Sequence, residues 1–172
     1  MESTVKFIEE KVKGFKPEIG IILGSGLGEL ADEYCDMAIS YSEIPGFISS
    51  TVKGHKGRLV FAEISGKKVV MMQGRSHFYE GHTMQEITYP VKVMKKLGVE
   101  TLILTNAAGA VNETYKPSDL MILKDHINCM GTNPLIGAND ETLGERFPDM
   151  SEVYKKDLRE LAGNCAEELS ID

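Results

Sequence analysis

Residues 19–34 read Ile-Gly-Ile-Ile-Leu-Gly-Ser-Gly-Leu-Gly-Glu-Leu-Ala-Asp-Glu-Tyr. The apolar run Ile19 to Leu23 has the length and continuity of a strand buried on both faces. It passes straight into Gly24-Ser25-Gly26-Leu27-Gly28, and Glu29 to Tyr34 opens a helix. A buried strand that feeds a helix through a tight glycine turn is a building unit of α/β sheets, so this stretch sets the fold class. The same turn suits an anion: glycines let backbone N–H groups approach closely, a helix N-terminus favours negative charge, and Ser25 adds a hydroxyl. The spacing is neither of two familiar phosphate loops. No Gly-Lys-Ser/Thr follows, and the third glycine comes one residue earlier than the dinucleotide fingerprint requires. Taken alone, the loop fits a ligand-free turn equally well.

Working outward, strands and helices alternate. Thr4 to Lys13 reads as a short helix with Val5, Ile8 and Val12 on one face, closed by Gly14. Leu59 to Ile64 and Lys67 to Met72 flank Ser65-Gly66, a hairpin turn. Thr83 to Leu97 predicts a helix: Thr83 and Glu86 form a capping box, Met84, Ile87, Val91, Met94 and Leu97 share a stripe, and Gly98 ends it. Pro90 inside this pattern predicts a kink or a break. Thr101 to Thr105 and Leu120 to Leu123 read as two further buried strands, and Ser151 to Leu169 as a last helix. Residues 126–150 form a connection rich in Gly, Pro and Asn that is long enough to suggest a functional loop. The expected fold is a single α/β domain over 1–172, built on a mixed, mostly parallel twisted sheet flanked by helices. In such sheets ligands gather at the carboxyl ends of strands.

Two more segments begin where a predicted strand stops. In Gln73-Gly74-Arg75-Ser76-His77-Phe78-Tyr79-Glu80-Gly81-His82, Arg75 can fork onto two phosphate oxygens, His77 can donate to a third, and Tyr79 offers a flat face and a hydroxyl for a sugar. A solvated surface loop is the alternative. No metal is expected there, because His77 and His82 miss the helical H-x-x-x-H register and no carboxylate or cysteine cluster completes a shell. In Thr105-Asn106-Ala107-Ala108-Gly109-Ala110, small side chains permit a ligand to lie against the backbone, or serve close packing. Lys53-Gly54-His55-Lys56-Gly57-Arg58 is a basic, glycine-flanked loop able to close over an anion.

Composition narrows the classes. With a formal net charge of −7 and acids and bases interspersed, the chain lacks the basic face of a general nucleic-acid binder. A small anion is still compatible, since a few cations in a cleft dominate locally. Cys35, Cys129 and Cys165 are widely spaced without a C-x-x-C pair, which argues against a disulfide framework or zinc ribbon and for reduced thiols. The N-terminus reads as neither signal peptide nor anchor, and no apolar run is long enough for a membrane span, so a cytoplasmic location is expected.

Five segments together resemble the purine nucleoside phosphorylase family, in its trimeric branch: GIILGSGLGELAD (20–32), IPGF (44–47), TVKGHKGRLVFAEISGKKVVMMQGRSHFYEGHT (51–83), LILTNAAGAVN (102–112) and DHINCMGTNPLIGANDETLGERFPDMS (125–151). They run in family order over nearly the whole chain. The resemblance implies phosphorolysis of purine nucleosides such as inosine and guanosine to free base and ribose 1-phosphate, in purine salvage. It implies that Ser25, His55, Arg75, His77 and the backbone at Ala107 bind phosphate. Tyr79 would face the ribose, Ala108 and Gly109 would line the purine pocket, and Phe147 would reach a neighbouring subunit's ribose site in a homotrimer. It implies no cofactor, inorganic phosphate being a co-substrate. The family continues beyond the position of Asp172, and that further part carries the Glu and Asn that recognise the purine, so a truncated chain is expected and no catalytic acid is assignable. Two alternatives share the pattern: methylthioadenosine phosphorylase, and a non-catalytic module that binds phosphate or associates with longer subunits. A dinucleotide-binding dehydrogenase is disfavoured by the glycine spacing and by the lack of an acidic residue at the end of a second strand.

Overall fold

The computed structural model describes residues 1–48 and 56–171. The chain divides into two compact units, Met1–Ala107 and the residues from Ala108 onward.

The first unit holds a five-stranded sheet in the order β2-β3-β4-β1-β5, with β1 Ile19–Leu23, β2 Met37–Ser40, β3 Arg58–Ile64, β4 Lys67–Gln73 and β5 Thr101–Leu104. β1 pairs in parallel with β4 on one side and β5 on the other, whereas β3 runs antiparallel to both β2 and β4. All strands except β3 therefore point the same way, as expected for a mixed, mostly parallel sheet. The hairpin turn between β3 and β4 places Ser65 at φ 50° and Gly66 at φ 75°. Both central residues are left-handed, the backbone that matches the twist of a two-residue hairpin.

Alternation along the strands divides the core between two faces. Leu59, Phe61, Val70 and Met72 point to one face, where they meet Ile8 and Val12 from the first helical segment and Val93, Met94 and Leu97 from the third. Val60, Ala62, Val69 and Met71 point to the other and meet Ala31. The covering helices are α1 Glu2–Lys11, α2 Gly28–Glu33 and α3 Met84–Leu97. α1 begins two residues earlier than expected because the Met1 carbonyl accepts from the N–H groups of Thr4 and Val5, both at 3.0 Å. α3 starts at the predicted capping box, with the Thr83 hydroxyl accepting from Glu86 N at 3.2 Å and the Glu86 carboxylate accepting from Thr83 N at 2.7 Å. It ends where Gly98 turns left-handed at φ 110°. Pro90 does not break α3, since its ring is buried with Met84, Val93, Met94 and Leu97 and that packing outweighs the one backbone donor it removes.

Three expectations change. β2 carries no long apolar run and was not anticipated; its register with β3, Met37 to Phe61 through Ser40 to Arg58, comes from pairing across the sheet. Leu120 to Leu123 is not a strand: its residues are largely exposed and no ladder satisfies its backbone among the described residues. The last helix, α4, spans Lys156–Glu168 and excludes Tyr154. In the second unit a series of Asx turns orders the chain: Asn112, Asn128, Asn133, Asp140 and Asp149 each accept from the backbone N–H two residues on. No helix of the described residues is long and apolar enough to cross a membrane.

Thr83→Ala is expected to lower stability by about 1 kcal/mol in denaturant unfolding, as for other lost N-caps. The Thr83 N–H, and then its hydroxyl, hold the Glu86 carboxyl below its ordinary value of 4.5. A carboxyl depressed by folding contributes stability above its ordinary value, lost as pH falls through the folded one. Glu86→Gln should therefore flatten the acid limb of a stability–pH curve below about pH 4.5 and leave the neutral region with only the loss of the cap.

Candidate functional site

The site is assembled where β4, β1 and β5 end side by side. Leu23 is in register with Gln73, and Ile22 with Leu104, so the segments beginning at Gly24, Gly74 and Thr105 leave the sheet at one level. Thr105 joins two of them. Its hydroxyl accepts from Gly24 N at 2.7 Å and donates to the Ile22 carbonyl at 3.0 Å, while its own N–H reaches that carbonyl at 3.1 Å. The approach leaves no room for a side chain on residue 24: a Cβ there would lie 2.8 Å from the Thr105 carbonyl oxygen and 2.9 Å from the Asn106 Cα. The third segment is tied in by Arg75, whose Nη1 donates to the Thr105 carbonyl at 2.6 Å.

Beside this junction lies a small open cavity of about 50 Å³. Its wall among the described residues is Leu23 to Gly26 and Gly28 from the first loop, Gln73 and Gly74 from the second, and Lys56. Ser25 is thus brought to the cavity and is exposed there. Arg75 and His77, half-buried, and exposed Ala107 stand at the same sheet end but are not part of that wall. α2 has only six residues and is capped by Leu27 without a side-chain bond, so backbone N–H groups of the glycine turn matter more here than a helix dipole.

The second segment is internally ordered. Glu80, with a side chain only 3% exposed, accepts from the His77 N–H at 2.7 Å and faces His77 Nδ1 at 3.0 Å. A carboxylate only accepts, so Nδ1 carries the proton and the ring orientation is set. Tyr79 stacks on the His77 ring at 4.8 Å and remains 76% exposed. His55 lies outside the described residues. In the second unit, Ala108, Gly109 and Phe147 are all exposed.

Several residues that shape the site had no role in the sequence reading. Tyr41, in the 3-10 turn Tyr41–Glu43, donates its hydroxyl to the Gly74 carbonyl at 2.7 Å, and burial raises the phenol well above its ordinary value, so it stays a donor. Gln73 donates to the Gly28 carbonyl and accepts from Arg58 Nε, both at 2.6 Å. Asp32 on α2 accepts from Lys56 Nζ at 2.7 and 2.8 Å and from Arg58 Nη2 at 2.6 Å. The Lys56 hydrogen bond is the first cause, and Gln73 the second, of an Asp32 carboxyl held below the usual range. These partners are 15 to 45 residues apart, beyond any local pattern; a basic Lys-x-Arg stem facing an acid on a short helix is the only sequence trace.

Thr105→Val keeps the shape and removes the hydroxyl, leaving Gly24 N–H without its acceptor; a loss of about 1–3 kcal/mol in unfolding free energy is expected. Gly24→Ala should cost at least as much, because the obstacle it meets is backbone.

The sequence profile of the Phosphorylase superfamily matches residues 18–172. Purine nucleoside phosphorylase 1 of Geobacillus stearothermophilus is 56% identical over 172 residues, covering 99% of this chain and 62% of that protein. A crystal structure of purine nucleoside phosphorylase in complex with ribose-1-phosphate superposes with a TM-score of 0.91 at 47% identity, over 99% of this chain and 64% of that one. The Schistosoma mansoni enzyme in complex with inosine gives 0.90 at 45% identity, over 99% and 60%. The chain thus spans between 60% and 64% of the length of these three relatives.

Proposed function

Because this chain belongs to the Phosphorylase superfamily, we propose that it forms the N-terminal portion of the catalytic domain of a purine nucleoside phosphorylase. Its substrates are purine ribo- and deoxyribonucleosides such as inosine and guanosine, and inorganic phosphate. Its products are the free base and the pentose 1-phosphate. The observation that carries the reading is the convergence of the Gly24, Gly74 and Thr105 segments at one sheet end, beside a cavity walled by glycine backbone, Ser25 and Lys56.

Phosphate sits at this end in the proposal. Ser25 offers a hydroxyl, the glycine turn and Ala107 offer backbone N–H groups, and Arg75, His77 and His55 offer side-chain donors. Each is a charge-assisted hydrogen bond, and together they fix the nucleophile. Glycosidic cleavage develops positive charge on the sugar, and a phosphate held beneath it stabilises that charge while attacking the anomeric carbon. The pairing of its Nδ1 with Glu80 orients the His77 ring, which serves phosphate through Nε2 in this proposal. Tyr79 faces the ribose, Ala108 and Gly109 the purine, and Phe147 the ribose of a neighbouring subunit in a homotrimer. The reaction asks for no cofactor, and the enzyme acts in the cytoplasm. Groups that assist departure of the base belong to the part of the family that this chain does not span.

Titrating inorganic phosphate into the 172-residue chain by calorimetry is expected to show binding that Arg75→Gln weakens about tenfold or more, the loss of one bidentate charged contact. Absence of any phosphate binding would remove the basis of the reading. In the same preparation, inosine phosphorolysis is expected to be weak or absent. Turnover comparable to that of the longer relatives would show that residues 1–172 also assist the leaving base.

A further inference from the structure

Among the described residues Lys56 is the one cation in the wall of the cavity, and its charge is engaged by Asp32. Its ammonium contacts both carboxylate oxygens of Asp32 on α2 at 2.7 and 2.8 Å. The two side chains are 56% and 37% exposed. Arg58 meets the same carboxylate at 2.6 Å, but it is also held by Gln73 at 2.6 Å and is less exposed, at 26%.

The two cations are therefore bound differently. Arg58 is a planar fork on two acceptors, which resists reorientation. Lys56 is a compact charge on a flexible stem with three rotatable donors and, among the described residues, a single partner, in an ion pair open to solvent, the kind that holds weakly. Asp32 brings one negative charge against two positive ones, so release of Lys56 still leaves the carboxylate paired with Arg58. A phosphate in the neighbouring cavity carries more negative charge than a carboxylate and offers more acceptor oxygens. Glycine backbone and Ser25 in the same wall supply neutral donors, and none of them brings a charge.

We propose that Lys56 is a further phosphate-binding residue, parked on Asp32 and transferred to the anion when the cavity is filled. The inference rests on the reading of this sheet end as a phosphate site. Asp32 is then a competitor for the lysine, not a support for the anion. The exchange breaks one ion pair and forms another, with no proton or covalent bond transferred.

Calorimetric titration of inorganic phosphate at low ionic strength into four proteins tests it: the unsubstituted chain, Lys56→Met, Asp32→Asn and Lys67→Met. Lys67 pairs with Glu18 on the surface at the opposite end of β4, so its variant controls for loss of one positive charge. The expected result is about tenfold weaker binding for Lys56→Met, the effect of one charged hydrogen bond. Asp32→Asn should bind severalfold tighter, and Lys67→Met within twofold of the parent. Equal affinity of Lys56→Met and Lys67→Met overturns the proposal, and so does weaker binding by Asp32→Asn, which would make Asp32 a support of the site. If the unsubstituted chain binds no phosphate, the functional reading fails and this inference with it. Phosphate binding that is indifferent to Lys56 leaves that reading intact and removes only the inference.

Discussion

A single threonine hydroxyl holds one end of the sheet together. Strand β1 is flanked by parallel neighbours, and parallel strands that end level leave unpaired backbone at their tips. Thr105 closes that gap by taking the Gly24 N–H and giving its proton to the Ile22 carbonyl. Arg75 then closes onto the carbonyl of the same threonine. Three segments separated by up to 81 residues are brought to one level by this residue and its neighbours, and the missing Cβ of Gly24 is what permits the distance. The proposed binding of an anion depends on this convergence, which gathers donors from three segments.

Charge is distributed in the same spirit. The chain as a whole is acidic, at −7, yet Lys56, Arg58 and Arg75 stand at one sheet end, where among the described residues Asp32 is set against the first two. A local excess of positive charge inside a globally acidic surface favours small anions over polyanions such as nucleic acid, whose binding needs an extended basic face.

Much of the frame was legible from residues. The Ile19 to Leu23 strand, the Ser65-Gly66 hairpin and the Thr83–Glu86 capping box are local signals, and each element formed where its signal lay. The four-residue β2 was not legible, since a strand that short is defined by its partner and not by its composition. Leu120 to Leu123 failed for the converse reason: apolar composition without a partner strand does not make a ladder. The placement of Ser25, Arg75 and His77 at one sheet end was readable because they follow strands closely. Tyr41, Asp32 and Gln73 act through contacts 15 to 45 residues away in sequence, which no periodicity reports.

The Tyr41 hydroxyl bond has a mechanical reading. Tyr41 follows the outermost strand β2, yet its hydroxyl grips the carbonyl of Gly74 beyond β4, so the bond spans the width of β3 like a cross-brace. A twisting or slipping of the outer edge would be conveyed to the very peptide from which Arg75 springs. The rim of the sheet and the root of that arginine are joined by this one bond.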